Sequence, residues 1–254
     1  MSRYISPVLY ILLMLVGCMA FVSIAGVRVG IFEPITGFSM LRDSVYASLV
    51  LSVLAIVSLV ACRKERNVGT QRFFCLVLTV SLVYSFMWIG FYLKRSDLPH
   101  INDITTDTQM PPSFINVNFI RSSNENDLAY NLDWAPIQKK YYPNVKPVFT
   151  DQSKDQVYFI VADMVSDRGW EVVAKYPAAG MIEATARTPI FGFRDDVAIR
   201  ILQMEDGEVR IDIRSCSRVG RGDYGVNAER VESFMEDLQV RLERINLPRV
   251  NTVR

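Results

Sequence analysis

Three uncharged apolar runs crowd into the first 95 residues, and they constrain the fold more than any other feature. They cover about residues 5–26, 45–61 and 73–93. Each approaches the ~20 residues a helix needs to cross the hydrocarbon of a bilayer. Core helices of water-soluble proteins are usually shorter. Arg42 and Asp43 stand at the mouth of the second run. Arg72 precedes the third, and Lys94 and Arg95 follow it. Tyr84, Trp88 and Tyr92 fall in its second half, where aromatic rings suit the headgroup layer. Residues 1–95 are therefore expected to be a membrane region with the lipid bilayer as a partner. The charge-rich residues 96–254 are expected to form a soluble domain, long enough to bury its own core.

The first run admits a second reading. Leu15-Val16-Gly17-Cys18 has the pattern of a lipoprotein cleavage site behind a signal peptide. The apolar run continues past Cys18 through Met19-Ala20-Phe21-Val22, which favours an uncleaved helix. Orientation follows from the basic residues. Arg63, Lys64, Arg66 and Arg72 lie between the second and third runs, and Arg3 lies at the N-terminus. Arg28, Arg42, Lys94 and Arg95 lie on the other side. The denser cluster is expected on the cytoplasmic face, which puts the soluble domain outside.

In the soluble part, residues 96–150 carry Pro99, Pro111, Pro112, Pro136, Pro143 and Pro147. This predicts an extended lead-in with one short helix near 133–141. Ser153 to Gln156 has capping-box spacing. Val157, Ile160, Val161, Met164 and Val165 follow at helical period, and Gly169 is placed to stop the helix. Four strands are predicted at 170–175, 181–188, 195–204 and 208–217, joined by short turns that imply antiparallel neighbours. A last amphipathic helix is predicted over 228–245, with Asn227 as its cap. The expected fold is α+β: a two-layer domain with a four-stranded antiparallel meander and both helices on one face.

Alternation along the strands assigns the two faces. Val209, Ile211 and Ile213 oppose Arg210, Asp212, Arg214, Cys216 and Arg218. Val197, Ile199 and Ile201 oppose Asp196, Ala198 and Arg200. Ile182, Ala184 and Ala186 oppose Glu183, Thr185 and Arg187. Arginines and carboxylates thus stack on one sheet surface. That surface is either a solvated ion-pair face, each pair worth ~0–1 kcal/mol, or a polar binding face.

Gly220-Arg221-Gly222-Asp223-Tyr224-Gly225 spells G-x-G-x-x-G between a strand and a helix. The preceding strand is amphipathic, whereas a dinucleotide fold buries both faces of that strand. A narrower reading is an anion cradle, with free backbone N–H groups at a helix N-terminus beside Arg218 and Arg221. The glycines also serve a plain turn. Pro189 to Phe193 puts three large apolar side chains in one turn, suited to capping the core, dipping into a membrane or meeting an apolar ligand. His100 with Asp103 and Asp107 has a metal-ligating composition but no strong ligand spacing, so no metal and no cofactor is expected. Asp195, Asp196 and Glu183 are the carboxylates available for acid–base work. With His100 the only histidine, Ser215, Cys216 and Ser217 have no histidine base in the folded core. A net charge of +1 gives no basic signal for nucleic acid.

Several separated words occur in order. They are His100-Ile-Asn-Asp103-Ile-Thr-Thr-Asp107, Gly169-Trp170, Ile182-Glu-Ala-Thr-Ala-Arg187, Phe191-Gly-Phe-Arg-Asp-Asp196, and the run from Arg214 through Arg218 to Arg230. Together they resemble the bacterial domain-of-unknown-function family 1499 over residues 100–238. Cys216 departs from the small residue expected within the arginine–serine word. The resemblance implies no activity. It does imply that Arg187, Asp195, Asp196, Arg214, Ser217, Arg218 and Asn227 belong to a shared polar set. The expected function is a membrane-anchored extracytoplasmic domain, in a bacterial inner membrane, that binds an anionic ligand or acidic partner surface in cell-envelope assembly or maintenance. The binding set is Arg187, Asp196, Arg200, Arg214, Ser217, Arg218, Gly220, Arg221, Gly222 and Asn227. Its partner would be an anionic small molecule, a lipid headgroup or an envelope protein. Two alternatives stand beside it: a carboxylate-dependent envelope enzyme, and a structural subunit of a membrane complex.

Overall fold

A computed structural model describes residues 2–65 and 67–246. The chain divides into two compact units: Met1–Asp97 with the turn Pro189–Gly192, and Leu98–Thr188 with Phe193–Arg254.

The first unit holds α1 (Ser2–Arg28), α2 (Pro34–Ala61) and α3 (Val68–Leu93), each long and apolar enough to cross a membrane. α1 runs unbroken through Gly17 and Cys18. α2 begins at Pro34 rather than near 45. Proline suits the first helical position, and Arg42 and Asp43 sit inside the helix and pair with each other at 3.2 Å. Hydropathy had located the apolar stretch, not the helix around it. Asn67 caps α3 by accepting the Thr70 N–H. Arg63 and Lys64 form a short 3-10 turn, while Arg66, counted in the orientation argument, lies outside the described residues.

Serines recur along the buried side of α2 at Ser44, Ser48, Ser52 and Ser58. Ser48 Oγ donates to the Ser81 carbonyl of α3 at 3.0 Å, and Ser44 Oγ meets the Tyr84 hydroxyl at 2.5 Å. Small hydroxyl side chains of this kind let apolar helices approach closely and bond to one another.

The second unit contains β1 (Asp103–Thr105), α4 (Val117–Ile120), α5 (Trp134–Tyr141), β2 (Val148–Thr150), α6 (Lys154–Asp167), β3 (Glu171–Tyr176), β4 (Met181–Arg187), β5 (Arg194–Gln203), β6 (Val209–Ser217) and α7 (Val226–Asn246). Every strand pairing is antiparallel. The sheet order is β1-β6-β5-β4-β3, and β2 also pairs with β6. The expected meander is therefore present as β3 to β6. The sheet has six strands rather than four, because two short stretches of the proline-rich lead-in add to it.

Ser153 accepts the Gln156 N–H to start α6. Gly169, at φ +65°, ends it, and Trp170 N–H returns to the Val165 carbonyl at 3.3 Å. α6 and α7 bury Val157, Val161, Val165, Val231, Phe234 and Leu238 against Ile182, Val197, Ile199, Ile211 and Ile213. Each such fully buried side chain is worth about 1.5–3 kcal/mol. Trp170 stacks on Phe234 at 5.4 Å, and Arg168 covers both rings.

Candidate functional site

The sheet's second face carries the arginines and carboxylates. Register places Thr185, Asp196, Cys216 and Asp103 in one cross-strand row, and Glu183, Ala198, Arg214 and Thr105 in the next. This face was read either as solvated ion pairs or as a polar binding surface, and both readings left it open. It is covered instead: Glu183, Asp196 and Asp212 are fully buried, and Arg214 and Arg218 are 4% and 5% exposed. The lead-in folds back over the face. Its prolines withhold backbone from a continuous helix or strand, and the freed N–H groups and side chains meet the sheet's charges.

Each buried charge has its partners. Glu183 accepts the backbone N–H groups of Ile115, Asn116 and Val117 at 2.8–2.9 Å, closing the N-terminus of α4. Asp196 takes Arg121 Nε at 2.7 Å, Arg218 through Nε at 3.0 Å and its terminal nitrogen at 2.9 Å, and the Thr185 hydroxyl at 2.7 Å. Glu125 stands 4.0 Å from Arg218. Arg214 grips both oxygens of Asp103 at 3.0 and 2.6 Å. It also donates to the carbonyls of Pro112 and Leu128, and lies over the rings of Phe114 and Tyr130. Arg200 and Arg210 share Asp212 and Asp107. Burial pushes the Asp103 carboxyl up, against the lowering by Arg214. Burial works the same way on Asp107, yet N–H bonds from Met110 and Gln109 and the nearby Arg210 hold it below its ordinary range.

A second polar cluster lies on the helix side of the sheet, where Asp195, Ser215 and Ser217 interrupt the apolar register. Asn227 does not cap α7. Its side chain turns inward, accepting from Ser215 at 2.6 Å and from Arg230, and donating to Ser217 Oγ and the Asn102 carbonyl. Arg230 pairs with Asp195 at 2.6 Å. The helix is closed by Asp223, whose carboxylate accepts the N–H groups of Gly225 and Asn227 while its carbonyl accepts that of Val226. At the start of α7 the N–H groups of Gly225, Val226 and Asn227 are thus taken by Asp223 rather than presented to an anion. Burial pushes the Asp223 carboxyl up to about 6, against those backbone bonds and with Asp195 adding to the rise.

The glycines serve this geometry. Gly220, at φ +92°, turns its carbonyl to Asn102 and Asn126. At Gly222 a Cβ would sit 3.1 Å from His100 Cα, so only glycine allows that approach without displacement. His100 is exposed, Asp103 belongs to Arg214, and Asp107 to Arg200 and Arg210. The three do not converge, and no cluster able to hold a metal ion occurs among the described residues. Cys216 is buried, and burial raises its thiol to about 12.

Of the expected binding set, then, the structure brings Asp196 and Arg218 together and puts Ser217 beside Asn227. Arg214 and Arg200 belong to separate pairs. Arg187 is exposed and reaches Glu171 at 3.2 Å. Arg221 is exposed and has no carboxylate within ion-pair distance among the described residues. Sequence reasoning missed Arg121, Glu125, Arg194 and Arg230. The signal for Arg230 was present: polar Asp195, Ser215 and Ser217 fall in the apolar register of two neighbouring strands, at the same end.

A family described as "Protein of unknown function (DUF1499)" matches residues 103–238, from the first strand to the middle of α7. No curated protein matches the chain.

Proposed function

This chain belongs to the DUF1499 family, and we propose that it is a membrane-anchored binding or assembly module, without catalysis, that presents its domain outside the cytoplasm to an anionic partner. The observation carrying this reading is the fate of the charges. All three carboxylates that suited acid–base chemistry are engaged: Glu183 by three backbone N–H groups, Asp196 by two arginines, Asp195 by Arg230. Reacting groups need a free proton-transfer path to substrate, which argues against the envelope-enzyme alternative. The buried arginines instead clamp the lead-in to the sheet. Outside that clamp, Arg194 and Arg221 are exposed and have no carboxylate within ion-pair distance among the described residues, and Arg187 is held only by an exposed pair.

The orientation rests on the basic residues between α2 and α3. A reporter active only outside the cytoplasm, fused after Arg254, is expected to be active. Activity from a reporter that works only in the cytoplasm would reverse the placement.

A further inference from the structure

The β4–β5 hairpin combines two features that the clamp does not use. Its turn, Pro189–Gly192, is apolar, and Thr188 and Phe193 close it through reciprocal bonds: Thr188 N–H to the Phe193 carbonyl, and Phe193 N–H to the Thr188 hydroxyl, both at 2.9 Å. Arg187 and Arg194 stand directly opposite each other at its base. Alternation turns both toward the polar face, and both are exposed. Like charges at directly opposed positions destabilise a strand pair. Arg187 is relieved in part by Glu171, in a pair whose side chains are 52% and 67% exposed. Arg194 has no carboxylate within ion-pair distance among the described residues. On the neighbouring strand Arg218 donates its backbone N–H to the Arg194 carbonyl at 3.0 Å, but its guanidinium is taken by Asp196. The base of the hairpin therefore carries uncompensated positive charge.

We propose that Arg187 and Arg194 bind the phosphate of an anionic phospholipid headgroup, with the turn seated in the interfacial layer. The proposal rests on the anionic-partner reading above and names that partner. A phosphate bridging two guanidinium forks relieves the repulsion and accepts charge-assisted, bidentate bonds. An apolar loop with arginines at its base is the side-chain distribution that membrane interfaces select. Continuity favours a lipid occupant over a soluble one. Within the second unit Leu98, a few residues after α3 ends at Leu93, packs against Gly225, which follows the end of β6 where Ser217 lies opposite Asp195.

The test uses the full chain in a nonionic detergent, titrated with phosphatidylglycerol, phosphatidylcholine or inorganic phosphate. Hydrogen exchange of residues 186–195 is the readout. Phosphatidylglycerol should protect this segment, and phosphatidylcholine and inorganic phosphate should not. Arg194→Gln should weaken the apparent affinity about fivefold and Arg187→Gln with Arg194→Gln about thirtyfold, following ~1 kcal/mol per arginine at an anionic surface. Arg241→Gln, on the outer side of α7, should leave it unchanged. Exchange in β6 reports that each variant is folded. Equal protection by inorganic phosphate would replace the lipid by a soluble anion and leave the broader reading standing. No protection by either, or protection untouched by the double substitution, overturns the lipid site. If inorganic phosphate and anionic peptide also fail elsewhere on the domain, the anionic partner falls with it.

Discussion

Replacing Arg214 by Met should be among the most damaging single changes in the domain. Arg214 is 4% exposed and its partner Asp103 is 2% exposed. The substitution keeps the length and packing of the stem but removes both bonds to Asp103 and the donors to the Pro112 and Leu128 carbonyls. Breaking a buried pair from one side leaves a charge without compensation, at about 3–5 kcal/mol. The orphaned carbonyls add to this, while protonation of Asp103 offsets part of it, so about 4 kcal/mol is expected. For a unit of this size that corresponds to a fall in Tm of roughly 8–16 °C. Unfolding of the intact chain in detergent can be followed by the fluorescence of Trp134 and Trp170, which lie in this unit; Trp170 is stacked on Phe234. Arg214→Lys should lie between, since Lys lacks the fork. Asp103→Leu combined with Arg214→Met should recover at least half of the loss, because an apolar pair replaces an ionic one at little cost. A Tm for Arg214→Met within about 2 °C of wild type would falsify the burial argument and return these arginines to the class of surface pairs worth ~0–1 kcal/mol.

Two further outcomes follow from groups with displaced ionisation. Asp223 has a folded value of about 6, above the ordinary 3.8, so the folded state keeps this proton longer. Its contribution to stability is full below pH 4 and falls as pH rises to 6, by at most about 3 kcal/mol. Asp223→Asn should remove that decline from the difference between the two proteins' pH–Tm curves, and parallel curves would refute it. Cys216, buried with its thiol raised to about 12, should resist iodoacetamide at pH 8 in the folded protein and react after denaturation; labelling of the native protein at the rate of a free thiol would contradict the burial.

The meander and its two helices were legible because their signals are local. Strand alternation, the Ser153 cap and the Gly169 stop act within a few residues of themselves. The polar face was legible as a composition but not as an interior. What covers it is the lead-in, whose prolines erase periodicity, so nothing in residues 96–133 says where the chain returns. The pairing is also non-local: Ile104 lies opposite Ser215. One trace was readable. Asp103, Asp107, Arg121 and Glu125 supply the lead-in with the charges that the sheet's arginines and carboxylates require. Asn227 was read as a cap because a helix N-terminus rewards asparagine. Asp223 takes that role instead, which leaves Asn227 free to bond across the sheet.

The clamp also sets an order of events during synthesis. Asp103 is made first and meets Arg214 only 111 residues later. At about 5–20 residues per second the wait is on the order of ten seconds. Through that interval the lead-in has no sheet to lie on, and Glu183 and Asp196 emerge before β6 and its arginines complete their surroundings. The proline-rich segment must stay hydrated and uncollapsed while the apolar helices ahead of it enter the bilayer. Its low apolar content and many uncharged polar residues suit it to that delay. Closure then comes as one late step when β6 pairs on both sides, so a chain stalled before residue 209 should be open to proteolysis throughout residues 98–133.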